Sequence, residues 1–480
     1  MYRFIPLGVA LSLSVLIFCA PVGAAPSPPS VDAATAHLDG DIRAALRRYN
    51  IPGATVAVIA GGQVIYARAF GFRDLGKHVP ASVDTHYEIG SITKQFTAAA
   101  IVQLSQSGKL DLDAKVGTYV AGVPHANEIT LRQLLTQTSG LPEYLDGPDI
   151  DDVAKKPATF GQIMQRIVGK PLAFAPGSRW QYSNTNYLVL GQIIETVSGE
   201  RYKDYIQRHL LDPLGMSATF IISDEPHVPQ MAIGYKRVNG DFQPALGTIG
   251  QSFASSAGDL VSTVEDLEKW NGALRAGRVV SPASYALMTT PPITPSGGDT
   301  GYGFGLFVDS VDGQPRIGHT GGDPGFTAAD EYFPEQHVQV IALTNDGDDN
   351  GHPEAGEILT NVVFESLFPE IAAAALRPSP GEDPRVTARV TTFFEQMQSG
   401  HEDYASLAPR LADKFRTRFA SSLASEFAPY GTPTAVIFRG KRTASGQHWF
   451  DYVIHFGPGV SLKIGVSYNN ANQIAGLSFG

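Results

Sequence analysis

A chain of 480 residues with 43 % hydrophobic and 17 % charged side chains carries enough apolar mass for large cores, which excludes a disordered polymer and suggests about two to four domains. Its 36 basic and 47 acidic side chains give a formal charge of -11, so nothing general draws it to phosphates and nucleic acid is not an expected partner. The single cysteine, Cys19, leaves no pair for a disulfide.

Residues 1–25 read as an export signal. Arg3 precedes an apolar stretch from Phe4 to Ala20, and "PVGAAPS" supplies small residues suited to cleavage after Ala24 or Ala25. The apolar stretch is short against the roughly 20 residues of a membrane span, so stable membrane insertion is not expected, an uncleaved anchor being the alternative. Cys19 lies inside this signal, and the large Phe18 before it disfavours lipid attachment. The expectation is an exported protein, periplasmic or secreted, with no thiol in its mature chain.

Helical spacing follows from Val31 to Tyr49, then "ATVAVIA", a "GGQ" turn and "VIYARAFG" predict a strand hairpin over Ala54 to Gly71. Helix-like runs cover Ser91 to Gln106, Leu131 to Thr138, Gly161 to Val168 and Tyr187 to Val197. Strand-like runs return in "YGFGLFVDS", "FTAADEYF" and "VQVIALTN", before an alanine-rich helix over Ile358 to Ala375. Strands at both ends with helices between predict one sheet built from distant segments, with a helical subdomain inserted. Pro378, Pro380 and Pro384 mark a linker over 376–384. Beyond it, residues 385–480 predict two helices and four strands, with ten Lys/Arg against six Asp/Glu. That reversal of sign fits docking onto the acidic main domain, or holding an acidic wall polymer.

Within "YEIGSITKQFTAAAIVQL" a lysine follows a serine by three places, so Lys94 and Ser91 share one face of a helical turn. A serine hydroxyl is a weak nucleophile until a base removes its proton. Lysine is a base only when neutral, and its reference pKa near 10.4 must be lowered by about three units, roughly 4 kcal/mol of differential interaction, which requires an enclosed site. The spacing alone also suits a helix-capping serine beside a solvated lysine.

"YEIGSITK" resembles the active-site segment of serine hydrolases built on the class C β-lactamase and D-alanyl-D-alanine carboxypeptidase plan, with Thr93 where dedicated β-lactamases usually have Ser or Ala. Three more segments match in order. "LRQLLTQTSGLPEY", Leu131 to Tyr144, is similar to the helix and turn at the rim, with Gln137 where histidine is commonest. "FAPGSRWQYSNTNY" carries the Tyr-x-Asn element as Tyr182, Ser183 and Asn184. "IGHTGGDPGF" resembles the strand ending in Lys-Thr-Gly or His-Thr-Gly.

The resemblance covers about residues 33–370, within an expected hydrolase domain of 33–375. It implies an α/β (α+β) DD-peptidase/β-lactamase fold, an antiparallel sheet flanked by helices plus a helical subdomain, with 385–480 as a small α+β domain that looks like the cone-shaped nuclear transport factor fold. It implies Ser91 as nucleophile, Lys94 as base and Tyr182 as proton carrier, Tyr182 and Lys94 titrating together. Asn184 would bridge Lys94 and a substrate carbonyl, the backbone N–H groups of Ser91 and Gly322 would form the oxyanion hole, and His319, Thr320 and Gly321 would line the substrate strand. Histidine in place of lysine at 319 weakens the case for a β-lactamase and predicts that affinity for carboxylate-bearing substrates falls as pH rises from about 6 to 8.

"DGDDNGHPEAGE" fits a calcium-loop spacing at Asp346, Asp348, Asn350, Gly351 and Glu357, but the strand before it and Pro353 within it argue for an ordinary connection. Zinc spacings and phosphate-cradling loops are absent, and no cofactor is implied. The serines of "ASSAGDLVSTVEDLEKW" are expected to shape the fold, and Tyr302 to line the pocket or pack in the core. The expected partner is a small peptide, ester or β-lactam, including cell-wall peptide. Cleavage by a D-amino-acid peptidase or esterase ranks above β-lactam hydrolysis. A catalytically silent penicillin-binding sensor or scaffold is the rival reading.

Overall fold

Strands distant in the chain meet in one sheet whose central members are buried on both faces and must be covered twice. The computed structural model describes residues 35–479 apart from 148, 155, 222–227, 246–250, 296–297, 348–353 and 445–446, so the expected export signal lies outside the described residues. Helix α1 (Leu38–Arg48) precedes strands β1 (Gly53–Ala60), β2 (Gln63–Asp74) and β3 (Val79–Pro80), and β4 (Phe307–Val311), β5 (Gln314–Asp323), β6 (Phe326–Phe333) and β7 (Val338–Thr344) follow more than two hundred residues later. The sheet runs β3-β2-β1-β7-β6-β5-β4, and β1 pairs antiparallel with β7 from Ala54 opposite Thr344 to Ala60 opposite Val338.

Period-two alternation assigns the two faces. Ala57 and Ile59 of β1 join Ile341 and Leu343 of β7 in one core, whereas Val56 and Val58 join Val340 and Ala342 in the other. The first core is closed by the inserted helical region, which includes α2 (Thr93–Gln106), α3 (Leu131–Leu135), α4 (Asn184–Ser198), α5 (Gln251–Gly258) and α6 (Val264–Arg275). The second is closed by α1 and α7 (Ala355–Leu367). The single helix expected over Ile358 to Ala375 is two, because Pro369 starts α8 (Pro369–Ala375) at a bend of 108°.

From α9 (Pro384–Ser399), which carries proline at its first turn, the chain builds a four-stranded antiparallel sheet: β8 (Ala435–Ala444), β9 (Gln447–Gly457), β10 (Val460–Tyr468) and β11 (Ile474–Phe479). This C-terminal unit shares the second core, with Phe393, Phe394 and Phe456 joining Ile358 and Val362 of α7. The β9–β10 turn is bolted to α7: Asn361 donates to the Gly459 carbonyl at 3.1 Å, and the Gly459 N–H donates to Glu365 at 2.9 Å. Arg48 of α1 reaches the Phe456 carbonyl of β9 at 2.6 Å, and Lys463 of β10 reaches the Ser310 carbonyl of β4 at 3.1 Å, so cations from both sides meet backbone oxygens across this contact.

Candidate active site

The segment before α2 is fixed at every residue. Tyr87 and Glu88 pair as a short strand with Ser262 and Val261, and the Ile89 N–H donates to the Leu260 carbonyl at 3.0 Å. Gly90 then takes a φ of +49°, turning the chain into a single tight turn, Gly90–Ile92, that carries Ser91. Ser91 therefore sits on this turn ahead of α2, while Lys94 lies in the first turn of α2 itself. Strand β5 packs directly against the turn, and it can do so only without side chains: a Cβ on Gly321 would lie 2.0 Å from the Ile89 carbonyl oxygen, and one on Gly90 would lie 2.8 Å from the Gly322 nitrogen.

Lys94 is fully buried; its Nζ donates to Asn184 Oδ1 at 2.8 Å and the Ala257 carbonyl at 2.7 Å and lies 2.8 Å from Ser91 Oγ, which in the neutral amine is the contact left to the nitrogen lone pair. Burial lowers its pKa to about 7, against the opposing pull of Glu143 and Asp323. Near neutral pH the free amine is therefore well populated beside the serine. Two further acids beneath the turn are kept from charging it. Burial pushes Glu88 up to about 7, and burial together with Glu88 pushes Asp323 well above the usual carboxylate range.

Tyr182 closes the other side. Its ring centroid lies 4.9 Å from Lys94 Nζ, within an aromatic group formed with Tyr302, Phe307 and His319. Burial raises its pKa well above 10, so it is a neutral phenol; Ser91 is near enough to favour the ionised form, yet the hydroxyl completes no hydrogen bond. Lys94 and Tyr182 share no hydrogen bond, and burial drives their pKa values apart, so the expectation of a pair titrating as one gives way to a neutral amine beside a protonated phenol.

The Tyr182 turn is held by Gln137. This residue has a positive φ of 58°; its carbonyl accepts the Gln181 N–H at 3.0 Å and its side-chain oxygen accepts the Ser183 N–H at 3.1 Å, bracketing Tyr182 from both neighbours. Asn184, the first residue of α4, turns Oδ1 to Lys94, which leaves its NH2 group as the donor for a substrate carbonyl.

His319 departs from expectation. It is 2 % exposed; Nδ1–H donates to the Thr320 carbonyl at 2.5 Å and Nε2 accepts from the Tyr302 hydroxyl at 3.0 Å. Burial, reinforced by Lys94, lowers its pKa to about 3. It is a neutral ring at physiological pH and gives no cation that titrates between pH 6 and 8. Gly321 serves the fit of β5 against the nucleophile turn, whereas an added Cβ on Gly322 would meet nothing within 4 Å, so that position opens onto free space. Thr320 lines, with Glu354 and Glu357, a cavity of 1130 Å³ that continues to the C-terminal sheet. Tyr302 is buried and serves as the partner of His319, and Ser256 bonds the Tyr187 carbonyl at 2.9 Å, a structural role. Of the calcium-loop residues, Asp346 accepts from Arg237 at 2.6 Å and Glu357 from Arg316 at 2.9 Å, while 348–353 lie outside the described residues.

Sequence reasoning passed over Glu143. Its Oε2 accepts the Asn184 N–H at 2.6 Å and its Oε1 the Leu145 N–H at 3.1 Å. It stands in the rim segment that matched the resemblance, and the acid at the end of "SGLPE" was the available signal.

A serine, a buried amine and a neutral phenol thus meet around one turn. The family model described as Beta-lactamase matches residues 38–363. The chain belongs to the β-lactamase family of serine hydrolases, which includes penicillin-binding proteins. Protein flp of Staphylococcus aureus (strain MW2) is 31 % identical over 325 residues, 64 % of this chain and 62 % of that protein, so the chain spans less than two thirds of this relative. The solved D-amino acid amidase from Ochrobactrum anthropi SV3 is 26 % identical with a TM-score of 0.59, covering 70 % of this chain and 98 % of the amidase. A penicillin-binding protein homologue from Pyrococcus abyssi, 24 % identical with a TM-score of 0.60, shares the fold over 93 % of this chain and 98 % of its own.

Proposed function

We propose that this protein is an exported serine hydrolase that cleaves an amide or ester bond through an acyl-enzyme on Ser91, with amides and esters of D-amino acids or short D-peptides as its substrates. The observation that carries the reading is the 2.8 Å contact between Ser91 Oγ and a Lys94 amine whose pKa burial has lowered to about 7. Lys94 takes the serine proton as Oγ attacks the carbonyl, and the N–H groups of Ser91 and Gly322 receive the oxyanion. The Tyr182 phenol protonates the leaving nitrogen or oxygen; in deacylation the resulting phenolate takes a proton from the attacking water, and Lys94 returns its proton to the departing Ser91 oxygen.

The substrate class follows from charge. Of the residues assigned to the strand, His319 is neutral, and Glu354, close enough to raise the Tyr182 pKa, lines the cavity beside Thr320. Without a cation from His319, a substrate recognised by its carboxylate, as β-lactams and carboxypeptidase peptides are, is disfavoured, and an amide or ester is favoured, with or without a free amine. The likeness to a D-amino acid amidase supports the same choice.

A panel of D-amino-acid amides, nitrophenyl esters, D-Ala-D-Ala peptides and a chromogenic cephalosporin tests this, with intact-mass detection of the Ser91 adduct. Turnover of amides or esters ahead of the cephalosporin is expected. A persistent adduct with every compound means a sensor, and no adduct on Ser91 contradicts the reading. Recovery of a mature chain beginning at Ala25 or Pro26 from an exporting host tests the export signal.

A further inference from the structure

Among the described residues, Glu143 is the acidic side chain that grips the Tyr182–Asn184 turn from outside it. Its bond to the Asn184 N–H, at 2.6 Å, spans 41 positions and lands on the first residue of α4. The residue before it, Ser183, makes no side-chain cap for that helix, so Glu143 supplies from another element the acceptor that a helix start requires. Asn184 then passes to Lys94 through Oδ1 at 2.8 Å, and Lys94 to Ser91 at 2.8 Å. The four residues form a continuous line from a rim carboxylate to the nucleophile.

We propose that Glu143 is a positioning residue for the reaction: its carboxylate pins Asn184 against Lys94 and sets, through its charge, how readily Lys94 holds a proton. The inference rests on the hydrolase reading for its consequence in catalysis. The groups facing Lys94 are Glu143 from the loop after α3, Asp323 and His319 from β5, and the Tyr182 and Tyr187 rings at 4.9 and 5.7 Å. Burial raises the Glu143 pKa, two backbone N–H groups and Lys94 pull it back, and Asp146 opposes them. Lys94 in turn is raised most, among charges, by Glu143. The acid thus tempers the desolvation of the amine, keeping Lys94 able to take the serine proton as well as to release it.

The test is a direct titration of Lys94 by carbon-13 NMR in the full chain, for the wild type and the E143Q and E143D variants, with thermal melts and the rate of Ser91 labelling by a fluorophosphonate. E143Q keeps an acceptor for Asn184 but loses the charge, so the Lys94 titration is expected to move down by about one pH unit, and the acid limb of labelling with it. E143D keeps the charge, so Lys94 titrates near the wild-type value while labelling slows through the loosened Asn184. Coincident Lys94 titrations in wild type and E143Q overturn the proposal, as does loss of fold in both variants, which assigns Glu143 a structural role alone. The titration needs no turnover, so an unlabelled Ser91 contradicts the hydrolase reading separately.

Discussion

Asn184 joins Glu143 to Lys94, its side-chain oxygen 2.8 Å from Lys94 Nζ and its backbone N–H 2.6 Å from Glu143. The amide separates the acid from the amine, so the acceptors of the two Lys94 N–H bonds, Asn184 and the Ala257 carbonyl, are neutral, and the lone pair faces Ser91. Neutral acceptors satisfy its hydrogen bonds without a direct counter-ion, and burial then decides its charge.

Burying an amine uncharged leaves a mark on stability. Lys94 has a folded pKa of about 7, below its unfolded value, so between about pH 7 and 10 the unfolded chain binds more protons and the folded state weakens as pH falls. Lys94→Met removes this dependence. Relative to the wild type, the variant is expected to gain about 1.4 kcal/mol for each unit that pH drops across that window and to stop gaining below it. Urea unfolding at pH 7, 8, 9 and 10 measures the slope; parallel curves would mean that Lys94 stays charged in the fold.

Tyr182 is a donor and not a resident base, because burial holds its proton. Tyr182→Phe is expected to lower kcat by about 10²- to 10⁴-fold for amides, and less for nitrophenyl esters, whose leaving group needs no proton. Equal losses for both classes would place Tyr182 in shaping the cleft.

His319 predicts a flat response. With its ring neutral above about pH 3, KM for a carboxylate-bearing substrate should not follow a histidine titration between pH 6 and 8, and nitrogen-15 NMR should show one fixed tautomer with Nδ1 protonated. A titration of that ring near pH 6.5 would restore the carboxylate-binding role that its position suggested.

What could be read in the sequence was local. Ser91 and Lys94 stand three apart where a tight turn enters α2, and Tyr182 and Asn184 two apart where another enters α4, so short motifs fix their geometry. The apolar runs "ATVAVIA" and "VQVIALTN" likewise marked strands of one sheet built from distant segments. The protonation of His319 was not legible, because burial and Lys94 set it only after β5 is packed against its neighbours. Glu143, and the contact made by Gln137, escaped for the same reason: their partners, Asn184 and Ser183, lie 41 and 46 positions away, and no spacing rule links a rim loop to a helix start. The break at Pro369 was visible as a proline but hidden by the alanines around it.

The pH dependence of Ser91 acylation bears most directly on the central claim. Single-turnover labelling by a nitrophenyl ester, followed by intact mass from pH 5 to 10, is expected to rise with an apparent pKa of about 7 and to hold a plateau above pH 8. A rate that keeps climbing to an inflection near 10, the value of an exposed lysine, would contradict the account.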